Sequence, residues 1–232
     1  RHEAGELFFA PTILGNVTQQ MAIANQEIFG PVAPVIRFKD EAEAVAIANS
    51  IDNRWSQAAI QMNVTFAHLE RAEFAAALNR VEAADQIWQA ANPLTPIWTT
   101  ATKAAILAEL GAVAAAAELV TTITVPDIEF PDHFRITETL AILNRYIEVK
   151  QGNRPTEQKE LQELARQISR LSPLAPPSIP YTANLGFTIL FACEAYDLLI
   201  DVTDQFIQRY DAAGAKGYHI CLPPSSLEAR PP

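Results

Sequence analysis

From Phe66 onward the apolar residues recur at helical spacing, and prolines fall only between the recurring stretches. That arrangement constrains the fold more than any other feature of the chain. Proline lacks an amide donor and collides with the preceding helical turn, so each one marks where a helix stops or starts. Phe66, Leu69, Phe74, Leu78 and Val81 fall near one face, predicting a helix up to Ala91 that Asn92-Pro93 ends. A second, alanine-rich helix is predicted over 99–119. The β-branched run Val120 to Val125 reads as a strand, and 126–131 as a loop. Helices are expected again at 136–149 and at 157–171. The latter carries the stripe Leu161, Leu164, Ala165, Ile168 and Leu171, with Thr156 as its N-cap. The segment 173–180 contains four prolines and reads as a linker. One long helix over 187–211 follows, then a short strand at 217–222. No repeat of fixed period emerges. Residues 67–93 have the alanine spacing and closing Asn-Pro of a single tetratricopeptide-like helix, and one copy is not an array.

Composition narrows the function classes. The formal net charge of -10 and pI of 4.9 oppose a nucleic-acid surface, which needs clustered Lys and Arg, and equally oppose docking on anionic lipid. Glu109 and Glu118 interrupt the apolar stretch 104–124, and Glu194 and Asp197 interrupt 185–200, so neither reads as a membrane span. Two cysteines, Cys193 and Cys221, make no disulfide framework and no paired metal spacing. A cytoplasmic setting is the default expectation.

The N-terminal stretch is different in kind. Gln26-Glu27-Ile28-Phe29-Gly30-Pro31 places a carboxylate before a tight Gly-Pro corner, and 32–38 then alternates as a strand. Upstream, 7–14 reads as a short strand pair around Pro11. Downstream, Asp40 with Glu43 three residues on forms a capping box that opens a helix to about Asn49.

Together, residues 3–49 resemble the late catalytic domain of NAD(P)-dependent aldehyde dehydrogenases, especially the succinate-semialdehyde type. The resemblance implies that Glu27 holds the nicotinamide ribose hydroxyls and that Phe29 packs beside the nicotinamide ring. A carboxylate accepts both hydroxyl protons, and an aromatic edge orients the ring. Gln26 departs from the family, which often has a second acid there. The family's nucleophilic Cys and its nucleotide-binding segment lie upstream of this motif. The chain opens on Arg1 part-way into the pattern, so the expectation is a fragment, a processed product or an incomplete reading frame. Beyond residue 50 the resemblance fades, although Tyr146 to Lys150 echoes the family's C-terminal Thr-Glu-Val-Lys strand.

Other constellations carry less chemistry. Glu194, Asp197, Asp201 and Asp204 share one face of the long C-terminal helix, and stacked carboxylates can collect a hard cation. The opposing apolar face of Phe191, Ala195, Leu198, Leu199, Val202 and Phe206 makes a solvated row the better reading. His219 and Cys221 have no second pair to complete a zinc site. Trp55, Trp88 and Trp98 are expected as core anchors.

The fold class expected is α-rich α+β, with an N-terminal strand-corner-helix segment and about five later helices. The expected layout is a dehydrogenase-like segment at 1–52, a helical region at 53–172, a Pro-rich linker at 173–180 and a long helix with its tail at 181–232. The function expected is that of a C-terminal fragment, or a diverged or fused relative, of an NAD(P)-dependent aldehyde dehydrogenase that is not competent alone. The alternative is a non-enzymatic helical interaction protein with a dehydrogenase-derived leader. No catalytic residue and no metal ligand is assigned, and whether the chain is an enzyme stays open. Glu27 and Phe29 are the cofactor-binding candidates, for NAD or NADP by resemblance, with neither bound by this chain alone. The partners expected are a protein or a second copy through helical surfaces, with no nucleic acid and no membrane.

Overall fold

The computed structural model describes residues 9–24, 26, 30–50, 54–89, 96–125, 135–171 and 178–212. The chain divides into two compact units, residues 1–60 and 61–232.

In the first unit, strands β1 (Thr12–Leu14) and β2 (Val32–Pro34) pair in parallel, with Thr12 opposite Val32 and Leu14 opposite Pro34. The Thr12 amide donates to the Pro31 carbonyl at 2.7 Å, and the Val35 amide to the Leu14 carbonyl at 2.8 Å. Both strands are shorter than expected, because Pro11 and Pro34 contribute no amide to the ladder. Helix α1 (Glu41–Ser50) begins where the capping box predicts. The Glu43 amide donates to Asp40 Oδ1 at 2.9 Å, and Glu43 Oε2 reaches back to the Lys39 amide at 2.7 Å.

The remaining helices come in pairs joined by turns: α2 (Arg54–Glu70) with α3 (Phe74–Gln89), α4 (Pro96–Glu109) with α5 (Val113–Thr121), α6 (Ile136–Lys150) with α7 (Gln158–Arg170), and α8 (Ser178–Ala192) with α9 (Tyr196–Ala212). Three of the predicted helices are therefore split, those over 66–91, 99–119 and 187–211. The device is the same each time. The first helix of every pair ends on a left-handed residue: Ala72 at φ 56, Gly111 at 83, Gly152 at 92 and Glu194 at 56. The following amide then bonds back across the turn, Glu73 to His68, Ala112 to Leu107, Asn153 to Glu148 and Ala195 to Leu190, at 2.9 to 3.0 Å. This Schellman closure satisfies carbonyls that the helix end would orphan. The four left-handed residues lie roughly forty apart, within the range of stacked helical repeats, so the chain has the periodic organisation that its sequence conceals.

The pairs stack in order. In the second unit α3 packs on α4, α4 and α5 on α6, α6 on α7 and α8, and α9 on α7 and α8. One core runs from α4 to α9, with Ile142, Leu143, Tyr146, Ile168, Leu171, Leu185, Phe187, Ile189 and Leu190 fully buried or nearly so. Phe187 meets Phe206 edge-on at 5.7 Å. The helices on the two sides of 173–180 thus share one core.

Three local expectations are corrected. Val120 and Thr121 finish α5, and no strand continues through 125. The hydroxyls of Thr121 and Thr122 each bond a carbonyl three residues back, closing the helix end, and a β-branched run without a partner strand has nothing to pair with. The N-cap of α7 is Glu157 rather than Thr156, with no side-chain bond. The helix expected at 136–149 is α6, and Tyr146 to Lys150, which echoes a strand of the dehydrogenase family, is its last turn and a half. Trp55 is exposed, while Trp88 is buried. The strand expected at 217–222 lies outside the described residues.

Candidate functional site

The corner that organises the first unit sits at the entry to β2. Gly30 and Pro31 are exposed, and β2 follows them directly in register with β1. Glu27 and Phe29, the two residues singled out for a nicotinamide nucleotide, lie outside the described residues. The alternation of β1 and β2 sets Ile13 and Ala33 side by side on one face, and both are exposed, Ile13 at 76%. Val35 extends the same exposed row, and Phe9 and Phe38 are also uncovered.

In the second unit the structure brings together a polar cluster that no sequence motif announces. Glu109, at the end of α4, has a side chain only 2% exposed. Its carboxylate accepts a bond from the Tyr146 hydroxyl of α6 and another from Lys150 Nζ at 3.2 Å. The Lys150 ammonium lies 5.3 Å from the Tyr146 ring centre, adding a cation–π contact. Tyr146 and Lys150 are four apart on α6, so both reach the same carboxylate. Burial pushes the Tyr146 phenol well above its usual range, and the Glu109 charge adds to the effect. Tyr181 of α8 is raised for the same two reasons in the same order. Chemically this is a satisfied anion that pins α4 to α6. The one signal available in sequence was a glutamate inside an alanine-rich apolar stretch.

Nearby, α4, α6 and α8 enclose a cavity of about 10 Å³ among Trp98, Thr102, Thr139, Tyr181 and Thr182. That is about the smallest space that admits one water. Among the described residues the Thr139 and Tyr181 hydroxyls have no hydrogen-bond partner. The ring of Tyr181 lies 6.4 Å from that of Phe66.

The other candidates resolve simply. Asp197, Asp201 and Asp204 share α9, whereas Glu194 stands outside it in the left-handed turn, and all four are exposed. Among the described residues no group of His, Cys, Asp and Glu is arranged to hold a metal ion. Cys193 is half-buried at the end of α8, and burial raises its thiol against the lowering effect of Arg154 and Arg145. His68 pairs with Glu73 at 2.6 Å across the turn into α3. His133, His219 and Cys221 lie outside the described residues.

Comparison with known proteins gives the first unit its context. The sequence model of the aldehyde dehydrogenase family matches residues 1–78. Residues 1–78 are an aldehyde dehydrogenase family segment. The rat mitochondrial succinate-semialdehyde dehydrogenase is 60% identical over 52 residues, and the human enzyme 58%. A 3-sulfolactaldehyde dehydrogenase of Pseudomonas putida is 50% identical over the same length. These alignments take in 22% of this chain and only 10 or 11% of the relatives. No solved structure matches the chain. The dehydrogenase segment thus covers the first unit and reaches the start of α3. Among the described residues no helix is long and apolar enough to cross a membrane.

Proposed function

We propose that this chain is a dehydrogenase-derived segment joined to a helical-hairpin array, that it binds a protein partner through the array, and that it does not oxidise aldehydes alone. The observation that carries this reading is where the match ends. Past residue 78 the described chain is a stack of helix pairs with its own core, and no described residue there is a strand. Parallel strands are ordinarily covered on both faces, and the uncovered row Ile13, Ala33 and Val35 suits a piece of a larger sheet. Thiohemiacetal chemistry needs a thiolate, and the chain's cysteines are Cys193 and Cys221, both far downstream of the matched stretch. Cys193 is moved away from thiolate character by burial.

Glu27 and Phe29 are proposed as the remnant of a nicotinamide site, for NAD or NADP, too little on their own to hold the nucleotide. The compartment proposed is the cytoplasm, on cysteine usage; the mitochondrial setting belongs to the relatives' names. The test is to incubate the full chain with succinic semialdehyde and NAD⁺ or NADP⁺ and follow the reduced cofactor. No protein-dependent rate is expected. A rate that disappears on Cys193→Ser or Cys221→Ser refutes the reading.

A further inference from the structure

We infer that the outer face of α9 is a docking surface for a cationic amphipathic helix of another protein. The inference rests on reading the array as a binding module, and it assigns the surface and the partner's chemistry. Helix α9 packs through Val202 and Phe206, with Leu198 and Leu199 beside them, onto α7 and α8. The solvent side of a surface helix is ordinarily polar. This one is not. Tyr196, Ile200 and Ile207 are 48%, 61% and 43% exposed. They fall at i, i+4 and i+11, with Thr203 at i+7, which is the spacing of a stripe along one helical face.

A row of charge borders that stripe. Asp197, Asp201 and Asp204 are exposed and lie alongside it on the solvent side. Among the described residues none of the three forms an ion pair; Asp201 accepts only an amide bond from Gln205, at 2.9 Å. The basic residue of α9, Arg209, is turned away and donates to the Ser169 and Gln205 carbonyls. The face therefore offers an apolar stripe with an uncompensated anionic border. Its complement is a helix whose apolar stripe is flanked by Lys or Arg, which steers approach electrostatically and buries the stripe. A second copy fits poorly, since its own aspartates would meet these, in a chain of net charge -10.

The test uses the full chain and two labelled helical peptides, each with leucines at i, i+3, i+4 and i+7. One flanks them with lysines and the other with glutamates. Fluorescence anisotropy is expected to show saturable binding of the lysine peptide alone, weakening with added salt. Ile200→Asp, at an exposed position that folding does not need, is expected to weaken it about tenfold or more, the scale of losing an interface anchor. The triple change Asp197→Asn, Asp201→Asn, Asp204→Asn is expected to weaken it and flatten the salt dependence. Equal binding of both peptides, no binding, or binding indifferent to both variants overturns the α9 assignment. None of these bears on the aldehyde assay, so the two readings fail separately. A dimer of the chain that Ile200→Asp disperses also overturns it and gives the face to a second copy.

Discussion

Gly186 lies within α8, where a glycine costs backbone entropy and an alanine would ordinarily stabilise by about 1 kcal/mol. Here the opposite is expected. A Cβ built at Gly186 meets both Cγ1 and Cδ1 of Ile168 at 2.6 Å, against 3.4 Å for ordinary contact. Ile168 is fully buried on α7, and Cγ1 is not the free end of a flexible chain, so the whole side chain must reseat. Ile142 Cγ2, at 3.7 Å, closes the same space from α6. Overpacking of this kind costs about 1–3 kcal/mol, and set against the propensity gain of about 1 kcal/mol the net loss for Gly186→Ala is up to about 2 kcal/mol. Urea unfolding followed by far-UV circular dichroism reads it directly, with a melting temperature lower by about 2–4 °C per kcal/mol. The partner change Ile168→Ala removes both clashing atoms and alone costs about 2–5 kcal/mol through its cavity. In the double variant the new methyl fills part of that cavity, so the two losses should fall short of additive by at least about 0.5 kcal/mol. A Gly186→Ala protein more stable than the parent would refute the close approach of α7 and α8.

The left-handed turns predict a pair of opposite effects. Ala72→Gly and Glu194→Gly should each raise stability by about 0.5–1 kcal/mol, and Gly111→Ala and Gly152→Ala should lower it by about 1 kcal/mol, all read by urea unfolding. Nothing crowds the last two positions, so any loss there is backbone strain alone. Alkaline pH should destabilise the chain, because Tyr146 and Tyr181 keep their protons when folded and release them near about pH 10 when unfolded. The unfolded state then holds fewer protons, so stability falls with rising pH, by up to about 1.4 kcal/mol per unit for each phenol. Tyr146→Phe should flatten the slope measured above about pH 10, and an already flat parent profile would sink the argument. A chain ending at Leu171 should aggregate, since α8 and α9 cover the core faces of α6 and α7. A soluble, cooperatively melting product would restore 173–180 as a true domain boundary.

What was legible in sequence was local. The Asp40 and Glu43 capping box, the stripe of α7 and the strand-corner-helix order around Gly30-Pro31 depend on neighbours within a few residues, and each occurs as the chain implies. The dehydrogenase likeness was legible for the same reason, as a contiguous run of residues. The helix breaks were half legible. Gly111 and Gly152 are natural left-handed caps, but Ala72 and Glu194 are not, and only the packing of the next helix repays holding them there. The helix expected over 99–119 runs through Gly111 as well, and the three missed breaks hid the repeated pairs; the one at Glu194 merged α8 with α9 and placed Glu194 on an acidic row it does not join. The run ending α5 has strand propensity but no strand beside it, and propensity in a sheet is a statement about neighbours. Glu109, Tyr146 and Lys150 meet across up to 41 residues of sequence, and Gly186 faces Ile168 from another helix. Such pairings belong to no period and no motif. They exist because the stack brings these helices within reach, so tertiary structure alone decided them.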